Sequence, residues 1–231
     1  MKRFASARPY NFPYDGSLSP DSTALLCIDM QRDFLDEGGY VHTMGYDLAP
    51  LRRTIAPSKT VLDAARQYNY LIIHTRGGRR RDMSEVAPVK RFRSELGGAE
   101  FGAEGPLGRF LVRGEAGHEI VAELSPLPGE PVLDKPSSSA FYGTELELIL
   151  SSRRIRNLVL LGLTTDVCVH SSLRSAIDRG FDCLLLEDCT AATVHSNYLA
   201  AISTITTEGG YFGAVTTSEA FTRAVREPAS P

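Results

Sequence analysis

Three side chains of this sequence have the types and positions needed for acyl transfer: Asp29, Lys135 and Cys168. Asp29 directly follows the apolar run Ala24–Ile28, and Lys135 follows the run around Val132 and Leu133. Cys168 follows Leu158–Leu161 and falls in the first turn of the helical pattern that comes next. In an open parallel sheet ligands bind beyond the carboxyl ends of the strands, so three strand ends bring these groups to one edge. A thiol at a helix N-terminus meets unpaired N–H groups and the positive end of the helix dipole. Both lower its pKa, and a nearby ammonium lowers it further. A carboxylate at the first strand end can take the thiol proton and later hand it to a departing amine. Backbone N–H groups near Thr164 and Cys168 would hold the oxyanion of a carbonyl under attack. The set supports acyl transfer through a thioester.

Each residue also has a plainer reading. Buried cysteines are mostly small apolar residues, and Cys27 and Cys183, inside or at the start of apolar runs, are read that way. Cys189, in Glu187-Asp188-Cys189-Thr190, lies nearer the edge but is also assigned to structure. Asp29 alone would serve as a cap or turn residue, and Lys135 alone as a solvated charge. The coincidence of all three at one edge favours chemistry.

The elements that must position them alternate. Strand-length apolar runs are Ala24–Ile28, Tyr70–His74, Pro131–Leu133, Leu158–Leu161, Cys183–Leu186 and Tyr211–Val215. They do not alternate strictly with polar residues, as strands buried on both faces should not. Helical spacing marks Pro57–Tyr68, Thr144–Ser151, Asp166–Asp178, Tyr198–Thr207 and Ser218–Val225, with Gly180 suited to a helix C-terminus. This alternation predicts an α/β fold: one domain with a mostly parallel sheet and helices on both faces. The exception is the segment 76–117, rich in Gly, Arg, Glu and Pro and without a clear period. It is read as a long loop insertion that caps the site or builds a subunit contact.

Composition narrows the classes. The chain has 231 residues, 42% of them hydrophobic, enough for one full core. A formal charge of −3 implies no general attraction to nucleic acid or an anionic membrane. No run approaches the roughly 18 apolar residues of a membrane span, and Met1–Tyr14 lacks an apolar signal core. A cytoplasmic protein is expected. None of the four cysteines forms a C-x-x-C pair, which argues against a zinc ribbon or a thioredoxin-type motif. A dinucleotide-dependent oxidoreductase would need G-x-G-x-x-G after the first strand, where Asp29-Met30-Gln31 stands. A thiol redox protein would need a resolving cysteine, for which Cys189 is the candidate; an inactive binding protein would not need the three reactive groups.

The local sequences resemble those of the isochorismatase-like cysteine hydrolases. Leu25 to Phe34 (LLCIDMQRDF) is similar to that family's first motif. Asp134 to Phe141 (DKPSSSAF) is similar to its lysine motif, and Gly162 to Val169 (GLTTDVCV) to its nucleophile motif. They occur in the family order. The resemblance implies a Rossmann-like fold, a homo-oligomer (dimer or tetramer), and a triad of Asp29, Lys135 and Cys168. It also implies a non-proline cis peptide at Leu163–Thr164 that turns the Thr164 N–H toward the oxyanion. The metal-binding branch of the family carries an aspartate and histidines after the second strand; here that region reads HTRGGRRRD from His74 to Asp82, so no metal and no cofactor are expected. The presence of Cys168 argues against the vinyl-ether-cleaving branch.

Within the family the likeness is greatest to hydrolases of small linear ureido amides of the biuret or triuret type, with ureidoacrylate or N-carbamoyl amino acids as the alternative. Phe34, Tyr40 and Phe141 are expected to wall the pocket. Ser138 stands where biuret hydrolases are expected to carry a second lysine, and Glu208 where they carry a glutamine. That exchange would favour a substrate with extra N–H donors, such as triuret. The arginine run Arg79–Arg81 is read as a solvated loop rather than as a carboxylate site.

Overall fold

The computed structural model describes residues 2–226. Its strands are β1 (Thr23–Ile28), β2 (Leu71–Gly77), β3 (Glu104–Gly105), β4 (Gly108–Arg109), β5 (Val132–Lys135), β6 (Asn157–Leu163), β7 (Asp182–Ala191) and β8 (Ala214–Thr216). Short helices α1 (Arg32–Leu35), α2 (Tyr40–Thr43) and α3 (Ala49–Arg52) lead into α4 (Ile55–Gln67). After these come α5 (Pro88–Leu96), α6 (Leu146–Ser152), α7 (His170–Ile177), α8 (His195–Thr206) and α9 (Ser218–Arg226).

Six strands form one sheet in the order β5-β2-β1-β6-β7-β8, and every neighbouring pair is parallel. Counted along the chain this is the doubly wound 3-2-1-4-5-6 order, which leaves a switch point between β1 and β6. Alternate residues of β1 feed opposite layers, and both layers are apolar. Leu25 and Cys27 join Val61 and Leu62 of α4 and Phe221 and Val225 of α9. Ala24, Leu26 and Ile28 join Leu146 and Leu150 of α6, Leu173 of α7, and Ile202 and Ile205 of α8. This two-sided burial is why the strand sequences read as continuous apolar runs.

Two departures from the expected elements matter for the site. β7 runs to Ala191, past the polar pair Glu187 and Asp188, because the register between β6 and β7 shifts between Leu160 and Gly162. Gly162 has φ +114, and a side chain there would run into the backbone of Ile28, so the crossing of β1 and β6 requires glycine. The segment 76–117 is not a structureless loop. It holds the end of β2, the helix α5, the β3–β4 hairpin and a 3-10 turn at Ala116–His118. Helix α5 escaped the periodicity reading because its apolar residues Val89, Phe92 and Leu96 are exposed rather than turned to the core. No helix among the described residues is long and apolar enough to cross a membrane.

Candidate active site

Asp29 lies one residue beyond β1 with φ 51, a left-handed conformation that turns the chain sharply at the sheet edge. Its Oδ1 accepts a 2.7 Å hydrogen bond from the Thr75 hydroxyl on β2. Its Oδ2 lies 2.7 Å from the Lys135 ammonium. That contact is between charges and off the axis of a hydrogen bond, so Oδ2 keeps an unused lone pair. Lys135, the last residue of β5, is 1% exposed, and its other contacts are the Ser137 carbonyl at 2.8 Å and Cys168 Sγ at 3.2 Å. Two hydrogen bonds and the charge contact with Asp29 compensate the buried ammonium. Burial works against the charge, but Asp29 and Cys168 beside it hold the Lys135 pKa above the ordinary lysine value.

Cys168 sits in a π-helical turn, Thr165–Val169, that precedes α7. The sequence reading of a lowered thiol pKa does not hold for this site. Burial pushes Cys168 up to about 12, and although Lys135 lowers it, Asp29 opposes. Desolvation of a thiolate outweighs one ammonium when that ammonium already faces a carboxylate. That direction fits a site in which a base takes the thiol proton as sulfur attacks.

These three residues line a cavity of about 300 Å³. Phe34, Tyr40, Ser138 and Thr164 line it, as the sequence suggested they would. The peptide bond Leu163–Thr164 is cis; Leu163 itself is buried in the core, while Thr164 faces the cavity. Two expected wall residues lie elsewhere. Phe141 belongs to the core under α6 and α7, packed on Phe181 at 6.0 Å and under the Arg179 guanidinium. Glu208 is exposed in the turn after α8, with φ 55, and does not line the cavity. Phe141 was placed by its nearness to a strand end and Glu208 by the family likeness, and neither carries information on side-chain direction.

Other residues of the site were missed. Arg79, read as solvated, lines the cavity with its guanidinium 4.7 Å above the Phe101 ring, whereas Arg80 and Arg81 are exposed. Gln31 and Asp33, both buried, tie the excursion to the sheet. Gln31 accepts from the Gly77 N–H at 2.6 Å and donates to the Gly77 and His118 carbonyls. Asp33 accepts from the Leu111 N–H at 2.9 Å and the Tyr40 N–H at 3.2 Å, and burial raises its pKa to about 6. Their sequence signal was the polar alternation Asp29, Gln31, Asp33 directly after a buried strand. Gly77 is a further one: a Cβ there would stand 3.2 Å from Asp29 Oδ2 and 3.5 Å from Lys135 Nζ. Cys189 packs with the core on the α4 and α9 face, and Cys168 with the core on the other, so Cys189 is not placed to resolve a Cys168 disulfide.

A doubly wound sheet with a buried carboxylate, ammonium and thiol at its carboxyl edge is equipped for acyl transfer. The isochorismatase domain family matches residues 23–220, and the chain belongs to that family. It is an enzyme, a hydrolase acting on amide C–N bonds. The ureidoacrylate amidohydrolase RutB of Rhizobium rhizogenes is 36% identical over 187 residues, covering 75% of this chain and 72% of that protein. The RutB of Agrobacterium fabrum is 35% identical, covering 75% and 78%. Among solved structures, a cysteine hydrolase from Pseudomonas syringae pv. phaseolicola superposes with a TM-score of 0.77 at 23% identity, over 90% of this chain and 94% of that one. N-carbamoylsarcosine amidase from Thermoplasma acidophilum gives 0.65 at 25% identity, over 86% and 97%.

Proposed function

We propose that this protein hydrolyses a C–N bond of a small linear ureido amide through a thioester on Cys168. The observation that carries the reading is the Lys135 ammonium, 2.7 Å from Asp29 and 3.2 Å from Cys168 Sγ in the wall of a small cavity.

In this reading Asp29 Oδ2 takes the Cys168 proton as sulfur attacks the ureido carbonyl, and Lys135 holds the thiolate as it forms. The oxyanion is held by N–H groups of the Thr164–Cys168 turn. Collapse breaks the C–N bond, and Asp29 gives its proton to the departing nitrogen. Water then attacks the thioester while Asp29 takes its proton, the C–S bond breaks, and sulfur is protonated again. The excursion over 76–117 acts as the cap of the cavity. Among ureido compounds, similarity to the ureidoacrylate amidohydrolases favours a ureidoacrylate-type substrate over biuret or triuret.

Ammonia release from biuret, triuret, ureidoacrylate, N-carbamoyl amino acids and nicotinamide tests this. Either ureido C–N bond yields ammonia, as the leaving group or from carbamic acid losing carbon dioxide. Release from a ureido compound is expected, with a fall of at least ~10³-fold in Cys168→Ser. Release that survives the substitution, or release from nicotinamide alone, contradicts the proposal.

A further inference from the structure

Resting on the ureido reading above, we infer that Arg79 determines specificity and selects ureido compounds that carry a carboxylate over neutral ones. Apart from Asp29 and Lys135, which pair with each other, Arg79 is the one charged side chain that lines the cavity among the described residues. Most of the remaining wall is apolar, including Phe34, Val41, Phe101 and Leu111. A cation in such a wall acts on a ligand with little screening by water.

The guanidinium is held but not neutralised. Its Nη1 donates to the Pro136 carbonyl, its plane lies over Phe101, and its own backbone N–H bonds the Leu111 carbonyl at 2.7 Å. Its Nε–H is buried without an acceptor, and Nη2 has none among the described residues. A guanidinium whose Nη2 is left without an acceptor can take a carboxylate oxygen through a charged hydrogen bond. No carboxylate among the described residues forms an ion pair with it.

The wider field has the same sign. Burial lowers the Arg79 pKa and Arg113 adds to that, while Glu85 opposes from a distance without reversing it. Glu85 is itself engaged at Oε1 by the Arg80 N–H at 2.6 Å. Lys90, which donates to the cavity residue Ser137 at 3.1 Å, feels Arg79, Glu85 and Lys135. Arg79, Arg113, Lys90 and Lys135 thus stand against Asp29 and Glu85, four cations against two carboxylates. A ligand carboxylate supplies an opposite charge and an acceptor for the guanidinium; a neutral urea supplies no charge.

The test uses a matched pair, 3-ureidopropionate and its methyl ester, which share the ureido group and differ in charge. The wild type should prefer the acid, and the acid-to-ester ratio of kcat/KM should fall on the order of 10²-fold in Arg79→Gln, carried by KM. Arg79→Met, which keeps an apolar contact with Phe101, should show the same fall, and because each ratio is internal to one protein it cancels losses in folded fraction. Equal changes for both compounds, or a wild-type preference for the ester, overturn the inference. A second readout needs no turnover: the ratio of Cys168 alkylation rates by iodoacetate and iodoacetamide. It should drop about 10-fold in Arg79→Gln. A drop without turnover of any ureido compound would keep the role of Arg79 and refute the ureido function. An unchanged ratio, or no labelling by iodoacetate, would refute the role of Arg79.

Discussion

The carboxyl edge of the sheet and the excursion over 76–117 enclose the same cavity by opposite means. At the edge, Asp29, Lys135 and Cys168 leave strands buried on both faces, and each polar atom that matters is held by charge or hydrogen bonds inside the protein. The excursion supplies Gly77, Gly78, Arg79, Phe101 and Leu111, fastened to the sheet by the polar clamps of Gln31 and Asp33. The first arrangement fixes a reaction and tolerates no loosening. The second leaves a donor edge of Arg79 unmatched, which is what selection of a ligand needs. In the function proposed above, topology sets the chemistry and the segment hung across it chooses the ligand.

The largest expected effect breaks the first region. In Lys135→Ala the Asp29 carboxylate would remain buried without its ammonium, which costs about 3–5 kcal/mol of stability in addition to loss of activity. Urea unfolding should show a lower midpoint with an unchanged slope. A variant as stable as the wild type would mean that the edge is not held by this pair.

Asp33→Asn acts on the join between the regions. An amide can accept only through its oxygen, so the two N–H groups of Leu111 and Tyr40 can no longer each meet an acceptor oxygen. KM is expected to rise about 10-fold with kcat changed by a few-fold at most, in keeping with one lost charged hydrogen bond. A fall in kcat at constant KM would place the clamp in the chemistry instead of in the cavity wall.

The smallest effect belongs to neither region and sharpens the contrast. Glu130 bridges Arg66 at 2.7 Å and His74 at 3.0 Å. Burial alone would raise its pKa, but the Arg66, Leu127 and His74 hydrogen bonds bring it down to about 2 from an ordinary 4.5. A depressed carboxylate contributes stability above its unfolded value, and that contribution is lost as pH falls from 4.5 through about 2. Glu130→Gln should cost about 1 kcal/mol at neutral pH and flatten the pH dependence across that window. Thermal melts from neutral pH down to pH 2 would show whether the two curves converge there.

The same division explains what the sequence disclosed. The inner strands were legible because two-sided burial writes itself as apolar runs, whereas the edge strand β5 is partly exposed and the run Tyr211–Val215 starts three residues before β8; the ends of three runs located Asp29, Lys135 and Cys168. The extension of β7 to Ala191 was not legible, since Glu187 and Asp188 interrupt the apolar pattern where the strand passes beyond the helices. Arg79 was not distinguished from Arg80 and Arg81, because only the fold of the excursion turns one of the three inward. Phe141 and Glu208 failed for the related reason that position along the chain does not give direction across it. The thiol pKa was misjudged because a helix start was weighed and the depth of burial could not be.

The most direct test of the account is a rapid acid quench during turnover of a ureido substrate, followed by intact-mass and peptide analysis. The account predicts a transient acyl adduct confined to the peptide that contains Cys168 and absent in Cys168→Ala. Turnover without an adduct at any quench time, or an adduct on Cys27, Cys183 or Cys189, would contradict it.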